Sequence, residues 1–299
     1  MRTGLTVDRN TSVNVYENIS KSKRSLFNKP EPFLKWAGGK RQLLDKFEKY
    51  FPKKFNNYLE PFLGGGAVFF HLFSTGRLFG KKITLIDSNL DLMNCYRVIK
   101  NEIDSLITYL PNGKHRNDEN IFYRIREENP NDPVEKAARM IYLNKTCYNG
   151  LYRVNRNGRF NVPFGNYKNP LICDTENLIA VSNVLQNVRL IKGDFTECLK
   201  YACSGDFLYF DPPYQPISKT ASFTGYTSNC FNEKSQERLA EVLKELDRRQ
   251  CKVMISNSDD SFIKKLYKDF NIEIVKARRA INCKGSKRGE INELVILNY

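Results

Sequence analysis

The chain has 299 residues and 41% of them are hydrophobic, enough for a full core, so disorder over the whole length is excluded. Its 48 Lys and Arg against 33 Asp and Glu leave a formal charge of +15, which points to a polyanionic partner, nucleic acid being the commonest. No apolar run reaches the roughly 18 residues of a membrane span, and residues 1–30 lack the apolar segment of a secretory signal.

In chain order, residues 1–29 come first and are polar. Arg2, Arg9, Lys21, Lys23, Arg24 and Lys29 stand against Asp8 and Glu17, which predicts a flexible basic arm without a core of its own. Order is expected from Pro30 onward. Short apolar runs at 58–60 and 83–87 predict buried strands, with a helix over 68–73 between them. Residues 91–170 then break the alternation, with helical patterns at 92–100 and 135–143 followed by a loop-rich stretch. Within it, residues 139–170 hold Arg139, Lys145, Arg153, Arg156, Arg159 and Lys168 and no acid. Tyr142, Tyr148, Tyr152, Phe160, Phe164 and Tyr167 interleave these charges, as nucleic-acid contact requires: cations for phosphate, rings for bases.

Beyond this insertion the strand signals resume at 189–192, 207–211, 252–257, 272–276 and 293–297. Helices are predicted at 234–249, where Leu239, Val242, Leu243 and Leu246 form one stripe, and at 261–270. Alternating strands and helices predict an α/β fold with a doubly wound, mostly parallel sheet. The last two strands, joined by 278–289 without a helical period, predict an antiparallel hairpin at the sheet edge. The expected organisation is an arm (1–29), an α/β domain (30–90 and 171–299) and an inserted recognition domain (91–170). The eight cysteines include no CxxC pair and only His71 and His115 could join them, which argues against a zinc site and against a His-dependent nucleophilic triad. Scattered thiols in a long chain read as reduced cysteines of a cytoplasmic protein.

The strongest chemical signal is Asp211-Pro212-Pro213-Tyr214, directly after the strand Phe207-Leu208-Tyr209-Phe210. The carboxyl end of a parallel strand opens into the crevice where α/β sheets bind ligands. Two prolines stiffen the backbone there, so a carboxylate, a rigid carbonyl and an aromatic face are presented together. That set suits an exocyclic nucleobase amine, whose lone pair is conjugated into the ring. The Asp211 carboxylate and the Pro212 carbonyl could each accept one amine hydrogen and free the lone pair, while Tyr214 stacks on the base. The second signal is Glu60-Pro61-Phe62-Leu63-Gly64-Gly65-Gly66, between a strand and a helix, where bare backbone lets a ligand approach the helix N–H groups. Asp87, ending the next strand, stands where an acid binds ribose hydroxyls.

These motifs, in this order, resemble the N6-adenine DNA methyltransferases of the Dam type, the α-group, from about Pro32 to Tyr299. The resemblance implies a seven-stranded Rossmann-like methyltransferase sheet, S-adenosyl-L-methionine as cofactor and double-stranded DNA as partner. Phe33-Leu34-Lys35-Trp36-Ala37-Gly38-Gly39-Lys40 is similar to the family's opening motif, which places Trp36 and Lys40 in the cofactor pocket. With them it implies Glu60, Phe62, Gly64, Gly66, Asp87, Ser88 and Asp211. Gly193-Asp194-Phe195 resembles the segment holding the cofactor's adenine, Asp194 by hydrogen bond and Phe195 by stacking. Tyr148-Asn149-Gly150-Leu151-Tyr152-Arg153, followed by Phe160-Asn161-Val162-Pro163-Phe164-Gly165, is similar to the recognition hairpin of members that methylate GATC. In that subgroup Tyr148 would insert between bases and Arg153 would read the outer guanine, the pairing its fork suits. Lys35 would lie near the outer base pair, Asn149 at the DNA, and Leu151 and Pro163 would make apolar contacts.

The sequence thus predicts a cytoplasmic enzyme methylating adenine N6 in GATC, with the target base flipped out of the duplex, as the modification enzyme of a restriction-modification system. No metal and no membrane are expected, and no dimer is required. The rivals are an adenine methyltransferase of other specificity or solitary regulatory role, a methyltransferase acting on cytosine N4 or RNA adenine, and a catalytically silent DNA-binding homologue.

Overall fold

Apolar, β-branched and aromatic residues build the strands β1 (Tyr58–Glu60), β2 (Ile83–Asp87), β3 (Val188–Lys192), β4 (Phe207–Phe210), β5 (Lys252–Ser258), β6 (Asn271–Arg278) and β7 (Glu290–Leu297). The computed structural model in which they are seen describes residues 29–36, 38–111, 114–214, 231–278 and 290–299. The predicted arm, apart from Lys29, and the link between the last two strands therefore lie outside the described residues. The strands form one seven-stranded sheet in the order β3-β2-β1-β4-β5-β7-β6. The first five pair in parallel, and β7 runs antiparallel between β5 and the edge strand β6. This is the expected Rossmann-like sheet with its antiparallel edge.

Period-two alternation gives the sheet two buried faces. Tyr58, Ile83, Leu85, Phe207, Tyr209 and Met254 enter one apolar cluster, while Leu59, Ile86, Leu208, Phe210, Val253 and Ile255 enter the other. The first face is covered by α1 (Leu44–Phe47), α2 (Ala67–Ser74), α3 (Leu90–Asn101), α4 (Ile103–Tyr109), α5 (Glu119–Glu127), α6 (Pro133–Thr146) and α7 (Thr175–Leu185). The second is covered by α8 (Glu233–Arg248) and α9 (Ser261–Leu266). On α8 the predicted stripe of Leu239, Val242, Leu243 and Leu246 is buried.

The helix starts follow local chemistry. Asp132 accepts the Glu135 N–H at 3.0 Å, with Pro133 in the first turn of α6. Asn232 accepts the Ser235 N–H at 3.1 Å and starts α8. The helix expected over 261–270 stops at Leu266. Tyr267 is fully buried just past its end, and a Phe270 N–H to Tyr267 carbonyl bond of 3.0 Å turns the chain into β6. Helices α3 to α6 share the apolar cluster of β1 and β2.

Candidate active site

The sheet order makes β1 and β4 neighbours with chain connections leaving in opposite directions, so a crevice opens past their carboxyl ends. Asp211 follows the last residue of β4. Its Oδ1 lies 2.6 Å from Lys40 Nζ and accepts the Ser256 hydroxyl at 3.1 Å. Lys40, only 4% exposed, also donates to the Gly38 carbonyl at 2.8 Å and stands 3.5 Å from Glu293 Oε1 on β7. Its ammonium sits 4.7 Å from the centre of the Tyr214 ring. Burial opposes the Lys40 charge, but the two carboxylates outweigh it and hold the ammonium above its usual range. Burial raises the Asp211 carboxyl against the pull of Lys40 and Ser256, and raises Glu293 in the same way.

One strand away, buried Glu60 ends β1 and accepts the Tyr58 hydroxyl at 2.7 Å. Burial pushes its pKa up to about 8, with Tyr58 opposing the rise and the charges of Asp211 and Asp87 adding to it. The glycine turn follows. Gly64 and Gly66 have φ of +50° and +72°, where only glycine is unstrained. A Cβ on Gly64 would stand 2.8 Å from Trp36 Cδ1, and one on Gly66 would stand 2.8 Å from the Tyr96 hydroxyl. The Gly64 N–H donates to Asp87 Oδ2 at 2.9 Å, and the Asn89 N–H to Oδ1 at 2.8 Å, so the ends of β1 and β2 are tied together. Ser88 is exposed beside them. Trp36 lies against the glycine turn and stacks on Tyr152 at 5.1 Å.

At the end of β3, Asp194 caps the next turn through the Thr196 N–H at 3.1 Å and pairs with Arg238 at 2.9 Å. Phe195 stacks on Phe62, ring centres 5.3 Å apart, and Phe231 meets Phe62 edge-on at 5.6 Å. Catalytic and cofactor residues foreseen on separate motifs, namely Lys40, Glu60, Asp87, Asp211 and Tyr214, are thus joined by direct contacts or linked charges along adjacent strand ends.

The hairpin lies on the other side of Trp36. Bridges Cys147 to Phe164 and Val154 to Phe160 close it, and the Tyr148 N–H reaches the Pro163 carbonyl at 2.9 Å. At its base, in the short turn Tyr148–Gly150, Asn149 and Gly150 take φ of +56° and +63°, and a side chain on Gly150 would collide with Lys35. Buried Asn144, at the end of α6, accepts the Lys35 N–H and donates to the Lys35 and Gly150 carbonyls at 2.9 to 3.0 Å. Arg153 donates from Nε to Asn161 Oδ1 at 2.7 Å and from Nη2 to the Asn161 carbonyl at 2.9 Å. Leu151 is half-buried and Pro163 exposed. The interleaved rings divide: Tyr142, Tyr152 and Phe160 are buried in the core, whereas Tyr148 is 53% exposed. Apolar rings with core within reach turn inward, and the composition of the segment hid that.

Sequence reasoning missed Tyr209, Ser256, Glu293, Asn144 and Asn161. A signal existed for two of them: Ser256 is a polar residue at the end of the strand beside Asp211, and Glu293 is a lone acid heading an apolar run.

A family model for the D12 class N6 adenine-specific DNA methyltransferases matches residues 36–281, spanning the glycine turn, the hairpin and Asp211–Tyr214. The chain belongs to this family. The methyltransferase is 47% identical over 288 residues to the type II methyltransferase M.MjaIII of Methanocaldococcus jannaschii, covering 90% of this chain and 99% of that protein. It is 42% identical over 276 residues to M1.LlaDCHI of Lactococcus lactis subsp. cremoris, covering 90% and 95%. With the DNA adenine methylase of Escherichia coli K12 it shares 36% over 277 residues, again 90% and 95%. The enzyme is an adenine-specific DNA methyltransferase and S-adenosylmethionine is its methyl donor. The residues present fit a cationic donor: the carboxylates of half-buried Asp211 and buried Glu293 surround a single ammonium, which leaves a negative balance, and the adjoining turn is bare of Cβ atoms. Among the described residues no helix is long and apolar enough to cross a membrane, and no group of three acids, histidines or cysteines is arranged to hold a metal.

Proposed function

We propose that this methyltransferase modifies adenine in double-stranded GATC, as the modification enzyme of a restriction-modification system working in the cytoplasm. The observation that supports the target is the hairpin, with Tyr148 exposed at its base and Arg153 oriented by Asn161 on the facing arm. Residues 91–170 form the recognition part on this reading. Tyr148 inserts at the base stack, Arg153 reads the outer guanine, and Lys35, Asn149, Leu151 and Pro163 complete the contact. The role in restriction-modification is supported by the two relatives named type II methyltransferases. A palindromic site lets one protomer treat each strand in turn, so no dimer is required.

The target adenine leaves the stack, because N6 is out of reach inside a duplex. Asp211 and the Pro212 carbonyl accept the two amine hydrogens, which localises the nitrogen lone pair, while Pro213 stiffens the loop. Tyr214 stacks on the base, its ring already braced by Lys40. S-adenosylmethionine supplies a methyl group on a cationic sulfur. Trp36, Lys40, Glu60, Phe62, Gly64, Gly66, Asp87, Ser88, Asp194 and Phe195 line its place along the strand ends. Positioning supplies much of the acceleration, on the order of several kcal/mol.

The test is DNA from cells expressing the chain. It becomes resistant to a nuclease blocked by adenine methylation in GATC. Complete cutting, with methyl groups still incorporated elsewhere, overturns the target and leaves the activity in place. A genome with no cognate nuclease gene beside this one overturns the restriction role.

A further inference from the structure

Both side-chain contacts made by Asp211 fall on one oxygen. Lys40 Nζ lies 2.6 Å from Oδ1 and the Ser256 hydroxyl reaches it at 3.1 Å. Among the described residues, no hydrogen bond or ion pair falls on Oδ2. Ser256 is completely buried on β5, the strand next to β4, and its Oγ is 2.8 Å from the hydroxyl of Tyr209, which is buried on β4 two residues before Asp211. Either hydroxyl could in principle donate in that second bond. The carboxylate decides which one does. An ionised carboxyl only accepts, and a serine hydroxyl has one hydrogen. Ser256 must give that hydrogen to Asp211, so Tyr209 must give its own to Ser256.

We infer that Tyr209 and Ser256 are positioning residues for methyl transfer, forming a one-way hydroxyl chain that with Lys40 pins Asp211 Oδ1 and leaves Oδ2 facing the substrate amine. The inference rests on the assignment of Asp211 to the amine. Without the chain Lys40 alone holds Oδ1, the carboxylate turns more freely about its own bond, and Oδ2 is held less firmly where the amine hydrogen arrives. The chain also favours the ionised carboxylate, because a donor to the charged form stabilises it. The charged and titratable groups acting on Asp211 or its partners are Lys40 and Ser256 directly, and Glu293, Tyr214, Tyr209 and Glu60 around them. Chains of this kind couple their members, and the end nearest the charge matters most.

The experiment compares Ser256→Ala, Ser256→Thr and Tyr209→Phe with Asp211→Ala and the wild type. Single-turnover methylation of a duplex oligonucleotide is followed against pH, with S-adenosylmethionine and DNA affinities measured separately. In Ser256→Ala the methyl-transfer rate falls about 10- to 100-fold, the loss of one hydrogen bond to a charged group. Both affinities stay near wild type. The acid limb of the pH profile moves to higher pH, since Asp211 loses a donor to its charged form. Ser256→Thr keeps the hydroxyl and restores most of the rate. Tyr209→Phe loses about 3- to 10-fold, with a smaller shift in the same direction. If Asp211→Ala retains activity, the assignment of Asp211 falls and takes this inference with it. If Asp211→Ala is inactive but Ser256→Ala keeps the wild-type rate and acid limb, the inference alone is overturned. A Ser256→Ala defect confined to cofactor or DNA affinity overturns it as well, and a Tyr209→Phe enzyme indistinguishable from wild type breaks the chain at its first member.

Discussion

Arg153 gives the Nε hydrogen and one Nη2 hydrogen to Asn161, which leaves the two hydrogens on Nη1 and the second on Nη2 outside that grip. If it reads guanine, Arg153→Ala costs about 1–3 kcal/mol of discrimination at the outer base pair, the value of one bidentate contact. Asn161→Ala keeps the guanidinium but frees it, so it erodes the same discrimination by less. Ratios of kcat/KM for GATC against sites changed at the outer pair measure both, and undiminished preference in Arg153→Ala removes the assigned reader. Glu60 offers a test through pH. Its carboxyl rises from an ordinary 4.5 to about 8 in the folded chain, so the folded state holds the proton more tightly. That contribution to stability is complete below about 4.5 and is lost as pH rises through about 8. Glu60→Gln keeps an oxygen for the Tyr58 hydroxyl and cannot ionise. Thermal melts of the cofactor-free enzyme therefore show a flatter fall of Tm across that interval in the variant; equal slopes would place the buried proton elsewhere. Of these residues, those that sit in short motifs were legible: Asp211, Lys40, Asp87 and the glycines announce themselves by their neighbours. Ser256, Glu293 and Asn144 are joined to their partners across 45, 253 and 109 positions of chain, distances fixed by sheet register and helix packing that no local pattern records.

Elements were read well where one periodicity prevailed and poorly where core and surface share a segment. All seven strands were foreseen, the central β1, β2, β4 and β5 because two-sided burial makes them largely apolar and the outer β3, β6 and β7 from short apolar runs, and α8 because its stripe is clean. Helices α4, α5 and α7 were not, being short or flanked by loops whose polar residues blur the period. The β1–α2 turn makes a sharp prediction at this scale. Gly66→Ala must hold φ near +72° and bring a methyl group within 2.8 Å of the Tyr96 hydroxyl and 3.0 Å of Phe70. It should destabilise the fold by about 1–3 kcal/mol, read by urea unfolding. In Gly64→Ala the methyl group meets Trp36, the single tryptophan of the chain, so its fluorescence shifts even where stability survives. Emission identical to wild type would mean that Trp36 does not pack on the turn. At α6, Asp132→Ala removes the cap and costs about 1 kcal/mol by the same unfolding assay.

For the molecule as a whole, the formal charge of +15 sets how binding responds to salt. Deleting residues 1–29, with six basic and two acidic side chains, leaves the methylated sequence unchanged and makes log affinity fall less steeply with log salt. A changed target after truncation would show that residues 1–29 read bases. The last of the seven strands has a further consequence. Strand β7 enters between β5 and β6, is the only sheet partner of β6 among the described residues, and brings Glu293 to Lys40. A chain emerging from the ribosome amino end first can lay down β1 to β5 in turn, but β6 must wait unpaired and Lys40 must wait for its second carboxylate. Pairing across such a span of sequence is slow to form. The Lys40–Glu293 contact therefore forms only after β7, the latest of the seven strands in chain order, has been made, so the charge that holds Asp211 is balanced later than the strands that frame it.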